Sequence, residues 1–206
     1  HHRLPRRSAQ LAQRKRHGTL SFRDILKYSS NIGSVKGAEK LGKETFYQYI
    51  RKFGFGAKTG IDLPGEVSGL LRPVEKWTRV DASTIAFGQG VSVTAIQLIT
   101  AFSAIANQGV LMKPFVVRGL MDRKGKIVQT YHPTEVRRVI SPETAKTLTT
   151  ILTDVVGAKD GTGKHARIVN IAVAGKTGTS QKFDFSRNVY SSERVKTSFM
   201  GFFPAE

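Results

Sequence analysis

At 206 residues, with 39% apolar content and only seven prolines, the chain has the size and composition of one globular domain rather than a disordered segment. It has no cysteine, which excludes a disulfide framework, a thiol nucleophile and any Cys-ligated metal. A formal net charge of +18 calls for an anionic partner or a solvated basic surface, but the charges form no stripe with interleaved aromatics, so nucleic-acid recognition is not expected.

The first predicted segment, residues 1–17, is a basic arm: Arg3, Arg6, Arg7, Arg14, Lys15 and Arg16 stand there with no acid and no apolar run, unlike a signal peptide. Ser21 then opens a helix, with Asp24 near the positive end of its dipole and Phe22, Ile25 and Leu26 toward a core. That helix is expected to end in Ser29-Ser30-Asn31. Gly33, Gly37 and Gly42 punctuate the next short segments, and Glu44 to Phe53 reads as an amphipathic helix. The run from Gly60 to Trp77 is turn-rich and is expected at the surface rather than in the core.

Val91 to Met112 carries no charge, which invites a membrane-span reading. Thr94-Ala-Ile-Gln97 argues instead for a helix closed at its start by a reciprocal cap, central in the fold and ended by Gly109. Phe115 to Met121 and Ile127 to Tyr131 form a predicted hairpin. Ser141-Pro142 starts a helix that runs to about Val156. Ile168 to Lys182 and Thr197 to Phe203 are predicted strands, paired antiparallel across the polar segment Asp184 to Arg194. The expected class is α+β, with helices packed on an antiparallel sheet.

Two short motifs carry chemistry. On the first of those strands, Lys176 supplies a cation and Thr177 and Thr179 supply hydroxyl donors, a set suited to a substrate carboxylate. Gly178 lets a substrate backbone lie against the strand, and the Thr179 amide is a candidate oxyanion donor. By itself the tetrapeptide is also an ordinary exposed strand with a cationic rim. Ser29 and Asn31 have a plain reading as helix-ending polar residues and a functional one as a proton relay and a carbonyl-holding amide. Serine acyl-transfer sites of this type draw their nucleophile from a Ser-x-x-Lys, and no Ser-x-x-Lys occurs in the sequence. Ser34-Val35-Lys36 cannot substitute, because an i,i+2 spacing does not share a helix face.

The chain resembles the transpeptidase domain of class B penicillin-binding proteins, which share its fold with serine β-lactamases. The resemblance is carried by Tyr28 to Gly33, Phe53 to Gly56, Thr59 to Glu66, Phe87 to Thr94 with Gln97, Ala106 to Gly109, Gly175 to Ser180 and Ser198 to Pro204. The Gly-Gln-Gly-Val-Ser-Val-Thr form at Gly88 to Thr94 is similar to the cell-division type. The resemblance implies a peptidoglycan D,D-transpeptidase acting on the D-alanyl-D-alanine end of a stem peptide, with β-lactam antibiotics as substrate mimics. It further implies Ser29, Asn31 and Lys176 as catalytic residues, Thr177, Gly178 and Thr179 as substrate-binding residues, and no cofactor. A membrane-anchored protein with its catalytic domain outside the cytoplasm is implied by it, as are a glycosyltransferase and division-complex proteins as partners.

Residues 1–17 depart from the family, as a shifted reading frame or an added arm would. Residues 18–206 are expected to be a partial transpeptidase domain, without the upstream Ser-x-x-Lys segment and the final strand and helix, and therefore inactive alone. Two other readings stand beside this one: a pseudoenzyme that binds peptides or wall polymer without turnover, and a basic module docking on anionic wall, lipid or nucleic acid. A β-lactamase would need a carboxylate to activate water, and Glu66 is the candidate, but its segment matches the transpeptidases. His17, His132 and His165 are isolated and suggest no metal site, and Gly54-x-Gly56 and Gly88-x-Gly90 do not continue as nucleotide loops.

Overall fold

The computed structural model describes residues 18–184 and 189–205. The basic arm, with Arg3, Arg6, Arg7, Arg14, Lys15 and Arg16, lies outside the described residues, as does part of the polar segment between the last two strands.

Three helices succeed one another at the start: α1 (Phe22–Lys27), α2 (Asn31–Leu41) and α3 (Lys43–Lys52). Ser21 caps α1 by accepting from the Asp24 amide at 3.2 Å, as the sequence suggests. α1 and α2 lie close because Gly33 has no side chain; a Cβ there would stand 2.5 Å from Ile25. None of the residues of α1, α2 or α3 is fully buried.

A 3₁₀ turn (Val74–Lys76) leads to α4 (Arg79–Ala86), which packs on α2. Trp77 between them corrects the expectation of a surface connection. It is buried, with Phe46 and Tyr47 edge-on to its ring at centroid distances of 6.2 and 5.5 Å and its indole N–H donating to the Arg72 carbonyl. The largest apolar surface in the segment is withdrawn from water even though its flanks are turns.

Helix α5 (Ala95–Ala106) begins with the expected reciprocal cap between Thr94 and Gln97. It is not buried on every face: Gln97, Thr100, Ala101 and Ala104 are inside, while Ile99 is half exposed. Gln97 is fully buried because it has work for all its polar atoms. Its Oε1 accepts from the Thr94 amide, and its Nε2 donates to the carbonyls of Ala57 and Ser68, tying the 57–68 loop to the helix. Gly109, at φ +85°, then turns the chain.

Strands β1 (Val110–Lys113), β2 (Gly119–Met121), β3 (Ile127–Thr130) and β4 (Thr134–Arg138) form two small antiparallel pairs, β1 with β4 and β2 with β3. The predicted hairpin is the second pair. Ala104, Leu111 and Val139 make a core cluster with Phe53 and Ile140.

Helix α6 (Pro142–Gly157) starts at the Ser141 cap and runs to the expected length. The hydroxyls of Thr147, Thr149, Thr150 and Thr153 each donate to the carbonyl four residues back, so a threonine-rich helix satisfies its own side chains. Its apolar face, with Val155 and Val156, packs on β5 (Ala174–Asp184). β5 pairs antiparallel with β6 (Val189–Phe202), Lys176 standing opposite Met200 and Thr177 opposite Phe199. The first of these strands starts six residues later than the sequence suggests, and the second eight residues earlier. Residues 168–171 instead make an isolated bridge around Asn170, which sits in the left-handed region at φ +60°.

The class is α+β, as expected. Among the described residues no helix is long and apolar enough to cross a membrane.

Candidate active site

Ser29 and Lys176, 147 residues apart in sequence, meet at the junction of α1 with α2. The Lys176 Nζ donates to the Ser29 Oγ at 2.5 Å and to its own neighbour's carbonyl, Thr177 O, at 3.1 Å. An ammonium has three donors, so one N–H remains for a ligand. Burial pushes the Lys176 amine below its ordinary value, which favours exchange of a proton with a neighbouring hydroxyl.

The position of Lys176 is set by β5. Val173 and Ala174, just before it, are buried, which anchors the strand under α6. Gly175 is required by a diagonal neighbour on β6: the Phe199 ring occupies the place of a Cβ, with Cζ 2.3 Å from where that atom would be. From Lys176 onward the strand emerges. Lys176 and Thr177 are half-buried, and Gly178 and Thr179 are exposed.

The position of Ser29 is set by the helices on either side. The sequence places Ser29, Ser30 and Asn31 together at a helix end, whereas the structure divides them. Tyr28 ends α1, Ser29 alone makes the link, Ser30 caps α2 by accepting from the Gly33 amide at 3.2 Å, and Asn31 is the first residue of α2. To make so sharp a turn Ser29 adopts φ +57°, the left-handed region that non-glycine residues seldom enter.

Of the remaining residues of the set, Thr177 touches this pair through its backbone carbonyl alone. Asn31 is exposed, and among the described residues its side chain and those of Thr177 and Thr179 make no hydrogen bond within the protein. Strand alternation puts Thr177 and Thr179 on one face of β5 and Lys176 and Gly178 on the other. A Cβ at Gly178 would lie 2.7 Å from the Ser198 hydroxyl, so that space is filled from β6. The far edge of β5 has no strand partner among the described residues and offers backbone groups to an extended ligand.

Glu66 has another task. Its carboxylate accepts from the Thr59 amide and hydroxyl at 2.5 and 2.6 Å and from the Gly60 amide at 3.0 Å, closing the 59–66 loop. Burial acts to raise its carboxyl, and the Thr59 and Gly60 hydrogen bonds outweigh it and hold it below the ordinary range.

Sequence reasoning did not find the groups that surround Ser29. Asp160, in the loop after α6, pairs with the Lys27 Nζ at 2.7 Å and accepts from the Tyr28 hydroxyl at 2.7 Å. Those donors hold its carboxyl down at about 2. A cavity of about 500 Å³ lies between α2, α3 and α4, lined by Val35, Phe46, Trp77 and Arg79 among others, and neither Ser29 nor Lys176 borders it.

The family described as penicillin binding protein transpeptidase domain matches residues 6–206. Stage V sporulation protein D of Bacillus subtilis is 42% identical over 191 residues, which cover 92% of this chain and 29% of that protein. Penicillin-binding protein PbpB of Mycolicibacterium smegmatis is 36% identical over 197 residues, covering 92% of this chain and 30% of that protein. The solved structure of penicillin-binding protein 3 from Mycobacterium tuberculosis in complex with ampicillin aligns with a TM-score of 0.85 and 32% identity, over 92% of this chain and 43% of that one. The chain thus spans less than a third of the length of these curated relatives.

Proposed function

This chain belongs to the penicillin-binding protein transpeptidase domain family, as a class B member, and from that premise we propose that it carries the substrate-holding and proton-relay part of a peptidoglycan D,D-transpeptidase site. The observation that carries the reading is the Lys176–Ser29 hydrogen bond, which joins the two chemically suggestive motifs of the sequence in one place.

In this reading the terminal carboxylate of a D-alanyl-D-alanine stem peptide is held at β5 by the hydroxyls of Thr177 and Thr179, while Lys176, on the opposite face of the strand, serves Ser29. The peptide backbone lies along the open edge beside Gly178, with the Asn31 amide on its carbonyl and the Thr179 amide at the developing oxyanion. The Ser29 oxygen accepts from Lys176, so its own O–H is directed elsewhere and is available to the leaving amine of D-alanine. As Ser29 gives up that proton, Lys176 replaces it. Acyl transfer also needs a nucleophile, and no Ser-x-x-Lys of these 206 residues supplies one. The chain by itself is therefore a binder of the peptide and of β-lactams rather than a catalyst. The relatives named for penicillin binding support the assignment to wall synthesis; a role at division, outside the cytoplasmic membrane and alongside a glycosyltransferase and division proteins, is proposed with it.

Titration of the labelled chain with an acetylated peptide ending in D-alanyl-D-alanine tests the reading by amide NMR. Shifts confined to Thr177 to Thr179 and Ser29 to Asn31, absent with the L,L peptide, are expected. Equal response to both peptides, or shifts elsewhere only, would overturn it.

A further inference from the structure

We propose that Asp160 is a positioning residue for this site, gripping Lys27 and Tyr28 so that Ser29 is held in the turn from which its hydroxyl meets Lys176. The inference rests on reading the Ser29–Lys176 contact as the working pair of the site.

Helix α1 has six residues and none of them is fully buried, so apolar burial does little to fix its place. Polar contacts fix it instead, and they run to α6 and the loop after it. Arg23 pairs with Asp154 near the end of α6. The two Asp160 oxygens each take one donor, Lys27 Nζ and Tyr28 OH, both at 2.7 Å, and Lys27 Nζ also lies 3.3 Å from the Tyr28 hydroxyl, closing a triangle. The Thr162 hydroxyl donates to the Lys27 carbonyl at 3.1 Å.

These contacts end at the residue before Ser29. Ser30, the residue after it, is committed as the cap of α2. Ser29 is the single unit between two held neighbours, and its φ of +57° is a conformation that persists only where the surroundings impose it. The same α6 that leads into Asp160 packs on β5, which carries Lys176. Asp160 therefore refers the serine to the same frame as the lysine, and a break at Asp160 separates the pair even with both motifs intact.

A surface ion pair that only adds stability would leave Lys176 unaffected, and this separates the two roles. The Lys176 amine is lowered because the site shields it from water. Release of the junction admits water and moves it upward. Removal of a carboxylate acting only through space has the opposite sign, since losing an anion lowers a lysine. Ser29 and the cross-strand neighbour Met200 are not ionisable, so neither masks the shift.

The experiment is a pH titration of the Lys176 Nζ resonance in the isotopically labelled 206-residue chain, with Lys176→Arg assigning the signal. Asp160→Asn is expected to move the Lys176 titration upward, and Tyr28→Phe, which leaves the Lys27–Asp160 ion pair in place, to move it the same way. An unchanged or lowered Lys176 in both variants would overturn the proposal, whatever the change in melting temperature. If Asp160→Asn fails to fold, Tyr28→Phe decides alone. Lys176→Met in the otherwise unaltered chain separates the two levels of the argument. If the Ser29 amide does not respond to it, the working pair is absent in solution; if it responds while Asp160→Asn leaves Lys176 unmoved, only the role of Asp160 falls.

Discussion

Gly175 and Phe199 are diagonal neighbours across β5 and β6, Gly175 standing opposite Gly201, and the Phe199 ring fills the space that a side chain at 175 would need. Gly175→Ala therefore forces the ring or the strand aside immediately before Lys176. Overpacking of this kind costs about 1–3 kcal/mol. Urea denaturation should show the lowered midpoint, and an unchanged midpoint would mean that the ring has room to turn away.

Gln97→Ala removes the two donors that hold the Ala57 and Ser68 carbonyls and the acceptor of the Thr94 amide. Groups left without partners away from water make this a loss of about 2–3 kcal/mol. Amide exchange should be accelerated across 57–68, with the Lys176–Ser29 contact unchanged. Uniform acceleration over the chain would contradict a role confined to that loop.

The Lys27–Asp160 pair makes stability depend on pH at both ends of the scale. Asp160, held at about 2, adds stability that is complete above its ordinary value and disappears as pH falls through about 2. Lys27 is raised, so its contribution is complete below its ordinary value and disappears in stronger alkali, as pH rises through the elevated value. Between these limits the difference in melting temperature between the natural chain and Asp160→Asn should be constant. It should shrink toward zero in acid, and a difference that persists below both carboxyl values would refute the pair as its source.

Lys176→Met is expected to stabilise the fold while weakening binding of the D-alanyl-D-alanine peptide. It removes a cation that burial disfavours, and Ser29, being exposed, turns to water. Thermal melts and the peptide titration together check this. A destabilised Lys176→Met would show that the hydrogen bond to Ser29 outweighs the cost of desolvation.

A fluorescent penicillin should leave no covalent adduct on this chain by gel and intact mass. The nucleophile of the reaction belongs to a Ser-x-x-Lys that the 206 residues do not contain. A stoichiometric adduct would sink that statement, and the modified residue would identify the serine responsible.

Legibility in the sequence divides by range. The caps at Ser21, Thr94 and Ser141 are legible because each is settled by residues three positions apart. Residues 168–173 are misread as strand because an apolar run looks alike in a strand and in an extended turn; Asn170, tolerant of the left-handed region, was the available signal. The burial of Trp77 depends on Phe46 and Tyr47, roughly thirty residues away. Ser29 and Lys176 are recognisable as a pair only through the resemblance of their motifs to a known set. The Lys27–Tyr28–Asp160 triangle has no local signature at all, since Tyr28 and Asp160, 132 residues apart in sequence, obey no period.

The two sides of the Ser29–Lys176 contact are built to different depths. Lys176 comes after Val173 and Ala174, which have almost no contact with water, whereas α1, α2 and α3 on the serine side contain no fully buried residue. Elements with few buried contacts open at lower free energy than the core. Amide protons at Tyr28 to Asn31 should consequently exchange well before those at Ala174 to Gly178, leaving the lysine side as the fixed template against which the serine side is held.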